Sequence, residues 1–319
     1  MEKQEEIPYE PLSKLPEWKD IQPIPQKESL KDPCAILYSP QFSEVMDYFR
    51  AILQKKEYSE RALKLTTEVI RLNCSNYTVW EYRRGILEHL KIDLNTELDY
   101  LDKVIEQHPK NYQVWTHRVW VTTKLNSGDR EKAFTEIAFL NDSKNYHAWS
   151  HRFWAIEYFN LWDGELEFID KFFENDLRHN SAWAARFFVA TQNGKLKNDP
   201  KIQLQEIEFS LSKINLTCNN ESAWNYFISF FEIANLDQQQ INDLVSKIET
   251  KKTRHRFCPF PMSFLIRVYS DKKFGYFSKE NLEKAITFCD ALSDECDTIR
   301  KAYWNYKKIG LEKILKEEF

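Results

Sequence analysis

The chain has 319 residues, 42% hydrophobic and 15% aromatic, and its 45 Lys and Arg against 49 Asp and Glu leave a net charge of −4. That balance gives no global attraction to nucleic acid, and no run of about 18 apolar residues is present to span a membrane. Six glycines are too few for a fold built on tight turns and strands, so composition points to helix with enough apolar mass for a large core.

The N-terminal stretch MEKQEEIPYEPL is acidic and lacks the apolar segment of a secretory signal, so none is expected. The six cysteines, at positions 34, 74, 218, 258, 289 and 296, show no C-x-x-C spacing in a chain too long to need disulfide staples. Both features fit reduced thiols in a cytoplasmic protein. Seven of the eleven prolines fall at positions 8, 11, 16, 23, 25, 33 and 40. Proline fixes φ and has no amide donor, so this part is not one helix. A flexible segment over residues 1–20 is expected, then an extended arm leading into a repeat region that fills 21–319. Helical pattern begins near SEVMDYFRAILQ, residues 43–54.

From there a repeat governs the sequence. Trp80, Trp115, Trp149, Trp183 and Trp224 are spaced by 35, 34, 34 and 41 residues. Four positions before the Trp stand Asn76, Asn111, Asn145 and Asn220, with His179 in the fourth copy. Three positions after it stand Arg83, Arg118, Arg152 and Arg186, with Phe227 in the fifth. Between anchors, Leu94, Leu98, Leu101 and Ile105 share one helical face, as do Leu166, Ile169 and Phe172 or Phe173. Each unit is predicted as helix, short turn, helix, with the Asn at the cap of the Trp-bearing helix. The Arg shares a face with the Trp, where it can stack on aromatic rings or pair with a neighbouring repeat's carboxylate. Tetratricopeptide repeats have the same period, but they place Gly and Ala where helices touch, and here those helices carry Trp, Arg and Phe. The result is an all-α chain, a solenoid of α-α hairpins.

Few residues suggest chemistry by themselves. Lys110 follows Pro109 just ahead of a predicted helix, where unpaired amides favour an anion and an ammonium adds a point charge. Lys144 holds the same repeat position, so residue chemistry alone leaves Lys110 either an anion contact or an exposed loop lysine. His147 and His151 have the H-x-x-x-H spacing of zinc ligands, yet Ala148 stands where H-E-x-x-H has its Glu, and no third ligand is apparent. His117, at the repeat position of His151, points to packing. No metal site is expected in this chain. KKTRHRF, residues 251–257, reads as a solvated loop between helices, since no aromatic platform accompanies it.

The motifs NYTVWEYRR, KNYQVWTHR, KNYHAWSHRFW, HNSAWAARFF and NNESAWNY resemble the repeats of protein prenyltransferase α subunits. EWKDIQPIPQ, YSPQFSEVMDYFRAIL, FNLWDGELEFID and DTIRKAYWNY extend the likeness over residues 17–308, toward the α subunit shared by protein farnesyltransferase and geranylgeranyltransferase type I. The resemblance implies a superhelical solenoid of α-α hairpin repeats wrapped around a β subunit. The heterodimer it implies transfers farnesyl or geranylgeranyl from the isoprenoid diphosphate to the Cys of a C-terminal CaaX sequence in substrate proteins. Zinc is implied on the β subunit and magnesium at the diphosphate of the farnesyl enzyme.

Carried over by motif, Lys110 matches the lysine that contacts the diphosphate, and Tyr112 sits beside it as the second catalytic candidate. Gln113 matches the residue that hydrogen-bonds the carboxylate end of the CaaX peptide. Asn145, Tyr146 and His147 match residues lining the same region, and Tyr77 a tyrosine near the peptide groove. Two other readings share some of these features: the α subunit of a Rab-type geranylgeranyltransferase, and a non-catalytic helical-repeat scaffold. The choice of isoprenoid is not legible, because the β subunit mainly sets it.

Overall fold

A computed structural model of the chain describes residues 9–27, 36–194, 196, 199–254 and 257–319. Among the described residues the regular structure is helical throughout, in two compact units, Met1–Leu161 and Trp162–Phe319.

In the first unit, Leu12–Lys14 and Pro16–Trp18 form single 3-10 turns whose Leu12 and Trp18 are buried. Trp18 meets Tyr48 of α1 (Pro40–Lys55) edge-on, with ring centroids 5.4 Å apart. Arg61 of α2 (Glu60–Leu72) covers the same ring at 5.3 Å and pairs with Asp20. Residues 1–8 of the expected flexible segment, and Cys34, lie outside the described residues; residues 9–20 pack on α1 and α2. Helix α1 opens with Pro40, and Ser39 Oγ accepts from the Phe42 amide at 3.1 Å.

Helical pairs follow. α2 packs on α3 (Tyr77–Leu90), α4 (Leu94–Gln107) on α5 (Tyr112–Leu125), and α6 (Glu131–Asn141) on α7 (Tyr146–Phe159). In the second unit α8 (Glu165–Asn175) pairs with α9 (Asn180–Gln192) and α10 (Pro200–Leu216) with α11 (Glu221–Ile233). There also α12 (Gln238–Arg254) pairs with α13 (Pro259–Ser270) and α14 (Lys279–Ala291) with α15 (Lys301–Glu318). The stretch expected as a loop at 251–257 is corrected in part: residues 251–254 end α12, and residues 255 and 256 lie outside the described residues. Amphipathic spacing explains the pairing. Leu98, Leu101 and Ile105 are buried and Leu94 half-buried, and on α8 Ile169 and Phe173 are buried.

The repeat Trp closes the turn between the helices of a pair. Its indole is buried, so its N–H needs an acceptor inside the protein. Trp80, Trp115, Trp149, Trp183 and Trp224 donate to the carbonyls of Cys74, Pro109, Ser143, Leu177 and Cys218 at 2.8, 2.9, 2.8, 2.9 and 2.7 Å. Asn76, Asn111 and Asn145 cap the Trp-bearing helices through their side-chain oxygens, as the sequence predicts. His179 does the same work with Nδ1, which accepts from the Ala182 amide at 3.1 Å. The Asn amide groups also reach back one repeat: Asn111 to Ser75 Oγ at 2.9 Å, Asn145 to Pro109 O at 3.0 Å, and Asn220 to Leu177 O at 2.7 Å.

The repeat Arg works inside the protein, both stacking and pairing. Arg83 makes two bonds to Glu97 at 2.7 and 2.8 Å, Arg118 two to Glu131 at 2.8 Å, and Arg186 two to Glu206 at 2.7 and 2.9 Å. The guanidinium carbons lie 4.4, 3.4 and 3.7 Å from the ring centroids of Tyr100, Phe134 and Phe209. Each carboxylate is also held by a ring of its own helix pair: Glu97 by His117 Nε2 at 3.0 Å, Glu131 by His151 Nε2, and Glu206 by the Tyr226 hydroxyl at 2.5 Å. Where Phe227 replaces the Arg, the site is apolar, with Phe231 and Phe264 around it.

Burial alone would raise the Glu97 pKa, but the bonds from His117 and Arg83 hold it at about 2. Glu131 is held at about 2 in the same way by His151 and Arg118. Burial lowers both histidines below 6.5, against the pull of the carboxylates. Arg84 Nε donates to His117 Nδ1 at 3.3 Å, so the His117 proton sits on Nε2 and faces Glu97.

Two outcomes are expected. Glu131→Ala strands Arg118 and His151 in the core and should destabilise the chain by about 3–5 kcal/mol, read as a lower denaturant midpoint. Glu280→Ala, which breaks the exposed pair with Lys284, should leave that midpoint unmoved. Acid supplies the second test. Histidines depressed below 6.5 contribute stability that is full above 6.5 and lost as the pH falls through that value. Carboxylates held at about 2 add a further loss as the pH drops below 4.5. The melting temperature should therefore fall between about pH 7 and about pH 5, before the carboxylates titrate. The double variant His117→Gln, His151→Gln should flatten that part of the curve; a wild-type melting temperature constant over this range would contradict the assignment.

Candidate functional site

An Asn that caps a helix turns its own side chain inward and leaves the first helical residue facing out. Tyr77, Tyr112 and Tyr146 occupy that place in α3, α5 and α7, and are 72, 66 and 67% exposed. Three exposed tyrosines at equivalent turns mark a surface that packing does not explain.

The turns before α5 and α7 meet at one cavity of about 280 Å³, lined by Lys110, Tyr112, Asp142, Lys144, Asn145, Tyr146 and His147. Five of the seven site residues expected from sequence thus come together. Gln113 and Tyr77 are not among the lining residues. Gln113 is half-buried in the first turn of α5, its main-chain N–H donating to Asn111 Oδ1 at 2.9 Å, and Tyr77 stands at the start of α3 in the preceding repeat.

The main chain at Pro109 and Lys110 is fixed from several directions. Trp115 Nε1 and Asn145 Nδ2 both donate to Pro109 O, at 2.9 and 3.0 Å. His147 hydrogen-bonds the main chain of Lys110. Its ring stands edge-on to Tyr112, with centroids 4.3 Å apart, and lies parallel to Trp115 at 6.4 Å. Burial lowers the His147 pKa below 6.5, with the Lys110 bond opposing, so the ring is neutral near neutral pH. Asn145 is spent on the fold: Oδ1 accepts from the amides of His147 and Ala148 while Nδ2 holds Pro109.

On this rigid base the Lys110 side chain is exposed, its ammonium 3.4 Å from Asp142 Oδ2. The other Asp142 oxygen accepts the Lys144 amide at 3.0 Å. Two lysines and two helix N-termini around a small opening suit an anion. A larger groove that Lys110 also lines, about 780 Å³, sets Asp99, Asp102, Glu106 and Asp142 against Lys103 and Lys110, a net negative lining that disfavours one.

The H-x-x-x-H pair does not converge. His151 is buried on Glu131, and His147 turns toward Tyr112 and Lys110. Among the described residues no group of three or more His, Cys, Asp or Glu is placed to hold a metal, and no helix is long and apolar enough to cross a membrane. Asp142, which holds the ammonium, was not singled out from sequence. Its position, three before the capping Asn, matches Asp176 before His179 and reads as turn chemistry.

Residues 59–90, 94–125, 129–159 and 162–193 match the protein prenyltransferase alpha subunit repeat. The protein farnesyltransferase/geranylgeranyltransferase type-1 subunit alpha of Dictyostelium discoideum is 38% identical over 315 residues, 95% of each chain. Its counterpart from Pisum sativum is 37% identical over 317 residues, 94% of this chain and 95% of that one. Among solved structures, Candida albicans protein geranylgeranyltransferase-I complexed with GGPP contains a similar chain. It is 28% identical, has a TM-score of 0.80, and the match covers 97% of this chain and 100% of that one.

Proposed function

The chain belongs to the protein prenyltransferase alpha-subunit family, and from that premise we propose that it is the alpha subunit of a heterodimeric CaaX prenyltransferase. The enzyme transfers farnesyl or geranylgeranyl from its diphosphate to the Cys of a C-terminal CaaX sequence, forming a thioether in the cytoplasm. The observation that carries this reading is the Lys110 cavity: an exposed ammonium on a main chain held rigid by the next repeat, with tyrosines and a neutral histidine beside it.

The reaction breaks the bond from C1 of the isoprenoid to the diphosphate oxygen while the peptide sulfur attacks C1, so negative charge grows on the leaving group. Lys110 meets that charge. Its ammonium is attracted to the diphosphate before reaction and more strongly as charge develops, and this difference is what accelerates the step. Binding exchanges the single carboxylate of Asp142 for a group of higher charge. Tyr112 and Tyr146 offer hydroxyl donors at the mouth of the same opening. His147 keeps Tyr112 and the Lys110 main chain in register without adding a charge. Gln113 and Tyr77, outside the cavity, are assigned to the peptide, Gln113 through its amide and the peptide carboxylate.

Zinc belongs in this reading to the beta subunit and magnesium to the diphosphate; no cluster among the described residues of this chain suits either metal. The likeness to type-1 alpha subunits runs along almost the whole chain, which favours this reading over a Rab-type subunit. A pure scaffold has no use for a lysine pre-set on an anion-sized opening.

Co-expression with candidate beta subunits, followed by assay of each complex with farnesyl and geranylgeranyl diphosphate, tests the assignment. A chain that stays a monodisperse monomer with every such subunit would overturn it. In an active complex, Lys110→Ala should slow single-turnover transfer by about 10²–10³, or roughly 3–4 kcal/mol, with isoprenoid saturating. Lys144→Ala, a lysine lining the same cavity from the equivalent repeat position, should have the smaller effect. A wild-type rate for Lys110→Ala, or a slower Lys144→Ala, would remove Lys110 from the mechanism.

A further inference from the structure

Away from that cavity, the second unit brings two thiols together. Cys218 lies in the turn before α11 and Cys258 in the turn before α13, 40 residues apart in sequence, yet their sulfurs are 3.1 Å apart. Cys258 Sγ is also 3.2 Å from Cys218 O, the carbonyl that receives the Trp224 indole at 2.7 Å. Both cysteines are free thiols, Cys218 half-buried and Cys258 buried. A disulfide needs a sulfur–sulfur distance of about 2 Å, so bonding requires an approach of about 1 Å, a small adjustment for two turn residues.

The two sulfurs differ in their surroundings. The hydrogen bond with Cys258 lowers the Cys218 pKa, and the Lys251 charge adds to this against partial burial. Cys258 is raised, by the same bond and by burial. A half-buried thiol whose pKa is lowered, next to a buried thiol, is an arrangement that oxidises in sequence rather than at random. Cys74 supplies an internal comparison. It holds the same repeat position as Cys218, six residues before a Trp, but its sulfur neighbours the Asn111 amide at 3.0 Å rather than a second thiol, and burial raises it.

We propose that Cys218 and Cys258 form an oxidative modification site, which hydrogen peroxide closes reversibly into an intramolecular disulfide tying the turn before α11 to the turn before α13. The Cys218 thiolate attacks one peroxide oxygen: the S–O bond forms, the O–O bond breaks, and the departing hydroxide takes a proton to leave as water. Cys258 then attacks the Cys218 sulfur of the sulfenic acid; the S–S bond forms, the S–O bond breaks, and the hydroxide leaves with the Cys258 proton as a second water. Two thiols lose two electrons in all, and the peroxide gains them. A dithiol reductant reverses the change.

The test uses the 319-residue chain, treated with equimolar hydrogen peroxide, denatured, alkylated with N-ethylmaleimide, digested and analysed by mass spectrometry. The expected product is a peptide pair joined through Cys218 and Cys258, lost on treatment with dithiothreitol, with the Cys74 peptide alkylated as before. Before oxidation, Cys218 should react with iodoacetamide at least about tenfold faster than Cys74. In Cys258→Ser the linked pair should be absent and Cys218 should instead be trapped by dimedone as the sulfenic acid. The proposal is overturned if wild-type Cys218 and Cys258 both remain alkylated, if Cys218 links mainly to Cys296, or if Cys74 oxidises as fast as Cys218. The wild-type measurement decides the matter even where the variant fails to fold.

Discussion

A carboxylate shut away from water must be ringed by donors, and the fold is organised around that demand. Glu97 and Glu131 in the first unit and Glu206 in the second each join an Arg of one repeat to a ring of the next, His117, His151 or Tyr226. Apolar faces alone would let one amphipathic helix pack on another in several registers. A buried carboxylate with three or more directional bonds admits one, because any slip leaves a charge unpaired at about 3–5 kcal/mol. Arg118 shows the pattern in full: two bonds to Glu131, one to Asp102 at 2.6 Å, and its flat face on Phe134.

The same organisation makes the candidate site. Within PKNYQVW the chain alternates groups that hold the fold with groups that face solvent. Pro109 O takes two hydrogen bonds, Asn111 caps α5, and Trp115 fills the core, while Lys110 and Tyr112 between them project outward. Because Asn145 and His147 belong to the next repeat, the position of Lys110 is fixed by the stacking of repeats as well as by Trp115 of its own repeat. The turn of Lys110 is thus held at Pro109 by Asn145 of the repeat that follows it.

Much of this was legible in the sequence. The Trp period marks the helix pairs, the Asn positions mark the caps of α3, α5 and α7 while Asn220 begins α11 without a side-chain cap bond, and a pairing of the Arg with a carboxylate is among the expectations. The identity of that carboxylate is not, although the signal is present. Glu97, Glu131, Glu165 and Glu206 each stand 18 residues before a repeat Trp, but a glutamate in an amphipathic helix reads as solvent-facing unless its period is noticed. Residue chemistry does not tell Lys110 from Lys144, and the groups around Lys110, namely Asn145, His147 and Asp142, come from a later repeat. Cys218 and Cys258 were invisible as a pair, because 40 residues are no motif and only the packing of successive helical pairs brings them together.

The central claim is that the repeat's structural side chains serve the chemistry by placing Lys110. A double-mutant cycle on the reconstituted complex, with single-turnover transfer rates for Asn145→Ala, Lys110→Ala and the pair, tests it directly. Asn145→Ala is expected to slow transfer when Lys110 is present, and to add nothing when Lys110 is already Ala. An equal slowing by Asn145→Ala in both backgrounds would show that Asn145 acts independently of the lysine, and would contradict the claim.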